Sequence, residues 1–308
     1  MSLLDPELLE SSQHVEGAHD PQDAVNSRLA QIWRRLRSTP RFWVGAVALA
    51  LIALWALFGL ALYPWSATDQ DGLAFSQGPS ASHWFGTNGI GQDLYAQTII
   101  GLQKSLLVGL IVGPAAALIA GFVGAISGYV GGVWDRVIVW FIDLLLVLPS
   151  FYILVLLSPT FKNASIVALI LFLALFGWMV LARVVRGQTM SLREREYVKA
   201  ARYMGVGGLT IVRRHIIPNV ASLLIIDATL GVGAAILSET ALSFFGFGIQ
   251  PPDVSLGTLL SAGSSAAVTR PWLFVFPSAV LILTVLATSL IGDALRDAVD
   301  PTSGATRD

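Results

Sequence analysis

Three acidic side chains fall inside otherwise uncharged apolar runs: Asp143, Asp227 and Glu239. A charge deep in a bilayer is costly, so such a group belongs on a helix face turned towards a protein partner or a wet cavity, where it can hold a cation or move a proton. At about 100° per residue, Glu239 lies about 120° round a helix from Asp227, so the two cannot share a face. Asp227 shares its face with Gly231, Ala234 and Ser238, small groups that leave room for a pathway. The expected pathway lining is Asp227, Gly231, Ser238 and Glu239, with Asp135 and Asp143 as structural charges at helix contacts. Other chemistries lack their groups. The chain has no cysteine, which excludes disulfides, thiolate nucleophiles and cysteine-based metal centres. His14, His19, His83 and His215 are too scattered to build a metal site. No phosphate cradle of the form GxxxxGK[ST] exists; the nearest string, GLQKS (101–105), has the wrong spacing. The serine-rich run SAGSSAAVT (261–269) has neither a nearby histidine nor a nucleophile elbow. No catalytic residue, metal or cofactor is therefore expected on this chain.

The elements that must position these acids are membrane spans. Of 308 residues, 55% are hydrophobic and 13% charged, about half the charge of a soluble domain. The net charge of −1 offers no general attraction to phosphate, which argues against nucleic-acid binding. Six runs have the length and composition to cross a hydrocarbon core about 30 Å thick: Phe42–Tyr63, Ser105–Ser127, Val137–Leu157, Asn163–Ala182, Pro218–Phe245 and Trp272–Gly292. The spacing predicts an all-α polytopic membrane protein. Within the second run, Gly124, Gly128 and Gly132 form one small-residue row and Ala117, Gly121 and Ala125 another. Such rows let helix backbones approach closely, and packing within this chain is favoured over a subunit interface.

Positive charge fixes the orientation, because Lys and Arg near spans stay on the cytoplasmic side. With the N-terminus inside, sixteen of the nineteen Lys and Arg are cytoplasmic, and only Lys104, Lys162 and Arg270 are outside. Both termini are then cytoplasmic. The first 27 residues carry six acids and no base, without the apolar core of a signal peptide, and read as a retained cytoplasmic tail. The expected layout is a tail over 1–41, a first span over 42–63, an extracytoplasmic segment over 64–101, a membrane core over 102–294 holding five spans and a cytoplasmic loop at 183–217, and a tail over 295–308.

That loop is long, and long connections are usually functional or disordered. Arg193 to Met204 has helix-forming composition, Gly205 stops it, a second short helix fits Leu209 to His215, and Pro218 restarts the chain as the fifth span. Tyr197, Ala200, Ala201 and Met204 fall on one face of the first helix, a partly apolar knob suited to docking.

The segments EYVKAARYMG (196–205) and RRHIIPN (213–219) resemble the cytoplasmic "EAA" loop of ABC importer permeases, in the form of the peptide/nickel group of oligopeptide and dipeptide permeases, the OppC/DppC type. Glu196, Ala200, Ala201 and Gly205 match, Lys199 stands where the general pattern has Glu, and His215 where it is more often aliphatic. HWFGTNGIGQDLYAQTIIGLQKSL (83–106) is similar to the family's HPFGTDxxGRD segment, with Asn88 for Asp and Gln92 for Arg, which removes a possible ion pair. GYVGGVWDRVIVWFIDLLLVLPS (128–150), with Asp135, Asp143 and Pro149 matching and Trp140 for Arg, and three stretches between 239 and 301 extend the similarity.

The resemblance implies a type I ABC importer permease fold, a heterodimer with a second homologous permease, cytoplasmic ATPase subunits, fused or separate, that bind ATP and magnesium, and an extracytoplasmic substrate-binding protein. In such an assembly Glu196, Tyr197, Lys199, Ala200, Ala201, Arg202, Gly205 and Pro218 couple the ATPase to the membrane domain. The expected function is import of oligopeptides or dipeptides across the inner membrane of a bacterium. The competing reading is an autonomous secondary transporter or channel using the intramembrane acids.

Overall fold

The computed structural model describes residues 30, 32–157, 166–250 and 252–299. The acidic part of the expected N-terminal tail, Lys162 and the expected C-terminal tail beyond 299 lie outside the described residues. The named helices are α1 (Pro40–Phe58), α2 (Leu94–Val130), α3 (Gly132–Val147), α4 (Ser150–Leu157), α5 (Ile166–Gly177), α6 (Met179–Leu192), α7 (Glu196–Tyr203), α8 (Gly208–Ile211), α9 (Ile217–Phe244), α10 (Leu256–Ser264) and α11 (Trp272–Val299). A π-helical segment, Val212–Ile216, joins α8 to α9.

α2 is the axis of the bundle. Its 37 residues amount to about 55 Å of helix, well beyond the hydrocarbon core. Asp93 starts it, its Oδ1 accepting the Ala96 N–H at 2.8 Å, and Gly131, at φ +66°, ends it. α9 and α6 both pack along it, while α11 packs on α9 and α1 on α11. Glycine makes both α2 contacts close. A Cβ on Gly113 would sit 2.7 Å from the Ala228 carbonyl oxygen of α9, and one on Gly124 only 2.5 Å from that of Ala182 on α6. Gly128 is pressed the same way against the Arg186 carbonyl. The row read from Gly124 and Gly128 thus packs within the chain; Gly132 drops out of it, with nothing near and φ +64°.

Five helical stretches among the described residues are long and apolar enough to cross a membrane: Pro40–Phe58, Leu94–Val130, Ile166–Leu192, Gly208–Phe244 and Trp272–Val299. The expected third run is not one helix. Leu148 is extended, at φ −76° and ψ 119°, because the ring of Pro149 pushes its predecessor out of the helical region, and α3 gives way to the short α4. The stretch expected as a cytoplasmic loop, 183–217, is helical at both ends. α6 continues to Leu192 and helix resumes at Gly208, so Arg183 and Arg186 belong to a helix wall.

The segment between α1 and α2 is held by a buried hub. Asp93 Oδ2 accepts the Tyr63 hydroxyl at 2.7 Å and pairs with His83 Nδ1 at 2.8 Å. Around it Tyr95 meets Tyr63, Trp84 and Phe85 edge-on or tilted, and Phe85 stacks on Phe276 of α11 at 4.2 Å. The two departures from the family pattern compensate each other: Asn88 Nδ2 donates to Gln92 Oε1 at 2.9 Å, and the Gln92 N–H donates to Asn88 Oδ1 at 3.0 Å. A neutral amide pair stands where an ion pair was expected to be lost.

Gly124→Ala should cost about 1–3 kcal/mol by forcing α2 and α6 apart. Gly187→Ala, at an exposed helical site with nothing within 4 Å, should be neutral or stabilising by up to about 1 kcal/mol. Melting of the two purified variants in detergent checks the contrast; equal melting temperatures would remove the close contact.

Candidate functional site

Two regions collect the candidate residues: the short helix α7 with the turns around it, and the middle of α9. α7 is seated by two side chains. Val198 is 1% exposed and Ala201 4%, and both join the core cluster that contains Ile211, Val212 and Ile216, with Tyr129 and Val206 packed against it. Ala201 therefore points inward, away from the knob the sequence predicted. The outward face carries Tyr197 and Ala200, joined beyond the helix end by Met204, and Tyr203 and Leu209 add to the exposed apolar surface. Tyr203, at 88% exposed, is the most open of these. The sequence offered a signal for it and for Leu209, since each is a large apolar group on a short polar segment.

The end of α7 is fixed by backbone chemistry. The Val206 N–H donates to the Ala201 carbonyl at 3.1 Å and the Gly205 N–H to that of Arg202 at 3.0 Å, with Gly205 at φ +79°. This is a Schellman termination, which calls for glycine at the left-handed position. At the other end Lys199 Nζ reaches back to Glu194 Oε2 at 3.1 Å, and its ammonium holds the Glu194 carboxyl below the ordinary carboxylate range. Glu196 opens the helix and Arg202 lies in its last turn, both exposed. The Tyr197 ring lies 6.2 Å from that of His215.

Pro218 does not restart the chain after a break. It lacks an N–H and its ring crowds the carbonyl four residues back, and the helix absorbs this by widening: the Ile217 N–H donates to Val212, five residues earlier. Asn219 Nδ2 donates to the His215 carbonyl at 2.6 Å. Helix is therefore continuous from Gly208 to Phe244.

The acids have separate environments. Asp135 is gripped bidentately by Arg186, with both N···O distances 2.6 Å, and accepts the Ser127 hydroxyl at 2.5 Å. Asp143 pairs with Arg183. Two arginines of the basic stretch thus tie α3 to α6. Glu239 has no exposed surface; its Oε2 accepts from Ser105 of α2 at 2.8 Å and its Oε1 from Ser243 at 2.7 Å. Nothing in the sequence marked Ser105 as its partner. On the Asp227 face, Gly231 approaches Gly113 of α2, where an added Cβ would lie 3.2 Å from the Gly113 Cα. Ala234 and Ser238 are exposed, and Asp227 is half-buried. Among the described residues no cluster of His, Asp or Glu suits a metal ion.

Residues 116–303 match the family described as the binding-protein-dependent transport system inner membrane component. Residues 27–79 match the N-terminal transmembrane domain of oligopeptide transport permease C. Among similar proteins, the oligopeptide transport system permease protein OppC of Mycobacterium tuberculosis strain H37Rv is 52% identical over 281 residues, which cover 89% of this chain and 97% of that one. A putative peptide permease protein of Brucella suis is 40% identical over 274 residues, 86% of this chain and 90% of its own. The OppC protein of Haemophilus influenzae is 40% identical over 257 residues, 83% and 82% of the two chains.

Gly205→Ala should loosen α7 by about 1 kcal/mol through its backbone alone, since no atom lies within 4 Å of the new methyl. Hydrogen exchange at Val206 and Gly205 should quicken while that of α2 stays fixed. Asp135→Ala should be more damaging, because it leaves Arg186 partly buried and unpaired, at about 1–3 kcal/mol. The melting temperature of the purified protein measures this, and the double change Asp135→Leu with Arg186→Met should recover part of the loss.

Proposed function

The chain belongs to the family of binding-protein-dependent transport system inner membrane components, and on that premise we propose that it is the permease subunit of an ATP-driven ABC importer carrying peptides into the cytoplasm. It is a multi-pass protein of the bacterial inner membrane. The peptide assignment is supported by the names of the relatives, which agree at 40–52% identity over most of both chains. The mechanism rests on one observation: α7 presents an apolar outer face while its inner face is locked into the same core as α2 and α9. A rigid knob of this kind passes on motion as rotation of the whole bundle, a hinge-and-shear switch.

In this reading the broken pair α3–α4 makes the remaining crossing, for six in all, and both termini lie in the cytoplasm. Cytoplasmic ATPase subunits, with their ATP and magnesium, engage the loop through Tyr197, Ala200, Tyr203 and Met204. Glu196, Lys199 and Arg202 supply the charged rim, and Ala201, Gly205 and Pro218 hold the shape from behind. A homologous permease completes the pathway lined by Asp227, Gly231 and Ser238, and an extracytoplasmic binding protein delivers the peptide. ATP biases the cavity only through its different affinity for the open and closed ATPase arrangements. An ion-driven carrier finds less support, since of the three acids it would use, Asp143 is matched by an arginine and Glu239 by two hydroxyls, which leaves it Asp227 alone.

Co-expression with a homologous permease and ATPase subunits, reconstitution into liposomes and addition of a peptide-binding protein and labelled tripeptide should give uptake that requires ATP. Uptake by this chain alone under an ion gradient would overturn the reading. Tyr203→Asp and Met204→Asp, both on exposed side chains, should leave membrane insertion and stability unchanged yet lower peptide uptake by about tenfold or more through loss of an apolar interface contact. Co-purification of the ATPase checks the cause.

A further inference from the structure

Of the four acids considered for the membrane helices, Asp135, Asp143, Asp227 and Glu239, Asp227 alone has nothing to hold among the described residues. Asp135, Asp143 and Glu239 are each engaged, whereas Asp227 makes no hydrogen bond or ion pair among the described residues. Its own helix does not serve it. The hydroxyls nearby on α9 are spent on backbone, Thr229 donating to the Ile225 carbonyl at 2.8 Å and Ser238 to that of Ala234 at 2.9 Å. The preceding base on this helix, Arg214, is 13 residues away, about 20 Å of helix. The carboxylate is half-buried on a strip whose next members, Gly231, Ala234 and Ser238, carry little bulk, and two of these are exposed.

We propose that Asp227 is the counter-charge for the amino-terminal ammonium of the peptide in transit. The inference rests on the peptide-permease reading and names what that pathway recognises. A carrier that accepts peptides of many sequences must hold what they share, and the cation common to unblocked peptides is the terminal ammonium. A carboxylate in a low-dielectric wall is costly while unpaired and gains most when a cation arrives. Partial exposure keeps the pair wet enough to separate, as transport requires of any site along a path.

The test compares initial ATP-driven uptake of a labelled tripeptide with that of its N-acetylated form by the reconstituted complex, in wild type, Asp227→Asn and Asp227→Glu. The same binding protein delivers each peptide to every variant, so its own preference cancels in the variant-to-wild-type ratio. Asp227→Asn should lower free-peptide uptake by about tenfold, as for loss of a charged hydrogen bond, while acetylated-peptide uptake stays within about twofold and Asp227→Glu keeps most free-peptide uptake. Equal loss for both peptides, or no loss, overturns the proposal. Where no complex imports the acetylated peptide, the glutamate variant decides: retained free-peptide uptake supports the role, and loss as deep as that of Asp227→Asn overturns it. A wild-type complex that imports no peptide overturns the reading beneath, and this inference with it.

Discussion

The approach of α2 to its neighbours at backbone distance is the constraint on which the rest of this structure hangs. Lipid offers no hydrophobic drive for one apolar helix to leave it for another, so association depends on close contact. Gly109 and Gly113 admit α9, and Gly124 and Gly128 admit α6. The two partners meet much the same side of the helix at different heights, since Gly113 and Gly124, 11 residues apart, lie only about 20° apart round it. A side chain at any of these four positions would meet carbonyl oxygens or Cβ atoms at 2.5–2.9 Å, and backbone cannot swing aside as a long side chain can. α6 and α9 also touch each other beside α2, and α7 is seated on the core they share.

Charge finishes what close packing begins. The ion pairs between α3 and α6 secure a helix that α2 touches little, since α3 exposes most of its apolar length. Glu239 does similar work nearer the start of α2, where a buried carboxylate shared by Ser105 and Ser243 joins α2 to α9. These acids are joints between helices. A carboxylate fully satisfied in this way has little capacity left for a passing solute, which is why Glu239, expected on the pathway, differs in kind from Asp227 twelve residues earlier.

Much of this was legible in the sequence. Long uncharged runs gave the spans because a bilayer demands about twenty apolar residues per crossing, and four-residue glycine spacing marked the inner face of α2. The loop helix was found from its composition and its terminating Gly205. What escaped depended on contacts between distant residues. Ala201 and Met204 have the same helical period, and only the position of the core decides that one is buried and the other is not. Arg183 and Arg186 looked like loop charges because Asp143 and Asp135 lie some 40 and 51 residues away. The break at Pro149 was readable from the proline itself; the widened turn before Pro218 was not, since the same residue also fits the start of a new helix.

That widened turn sets an angle. A π-helical turn carries an extra residue without ending the helix, and each residue of an ordinary helix advances about 100°. The side chains of α8 and those around Asp227 are therefore held on one rod with a built-in angular offset between its ends. Pro218 keeps that offset in place, because closing the turn into plain helix would press its ring against the carbonyl four residues back. The angle between α8 and the acid-bearing face of α9 is thus a matter of phase, and in this chain the phase is written in five residues.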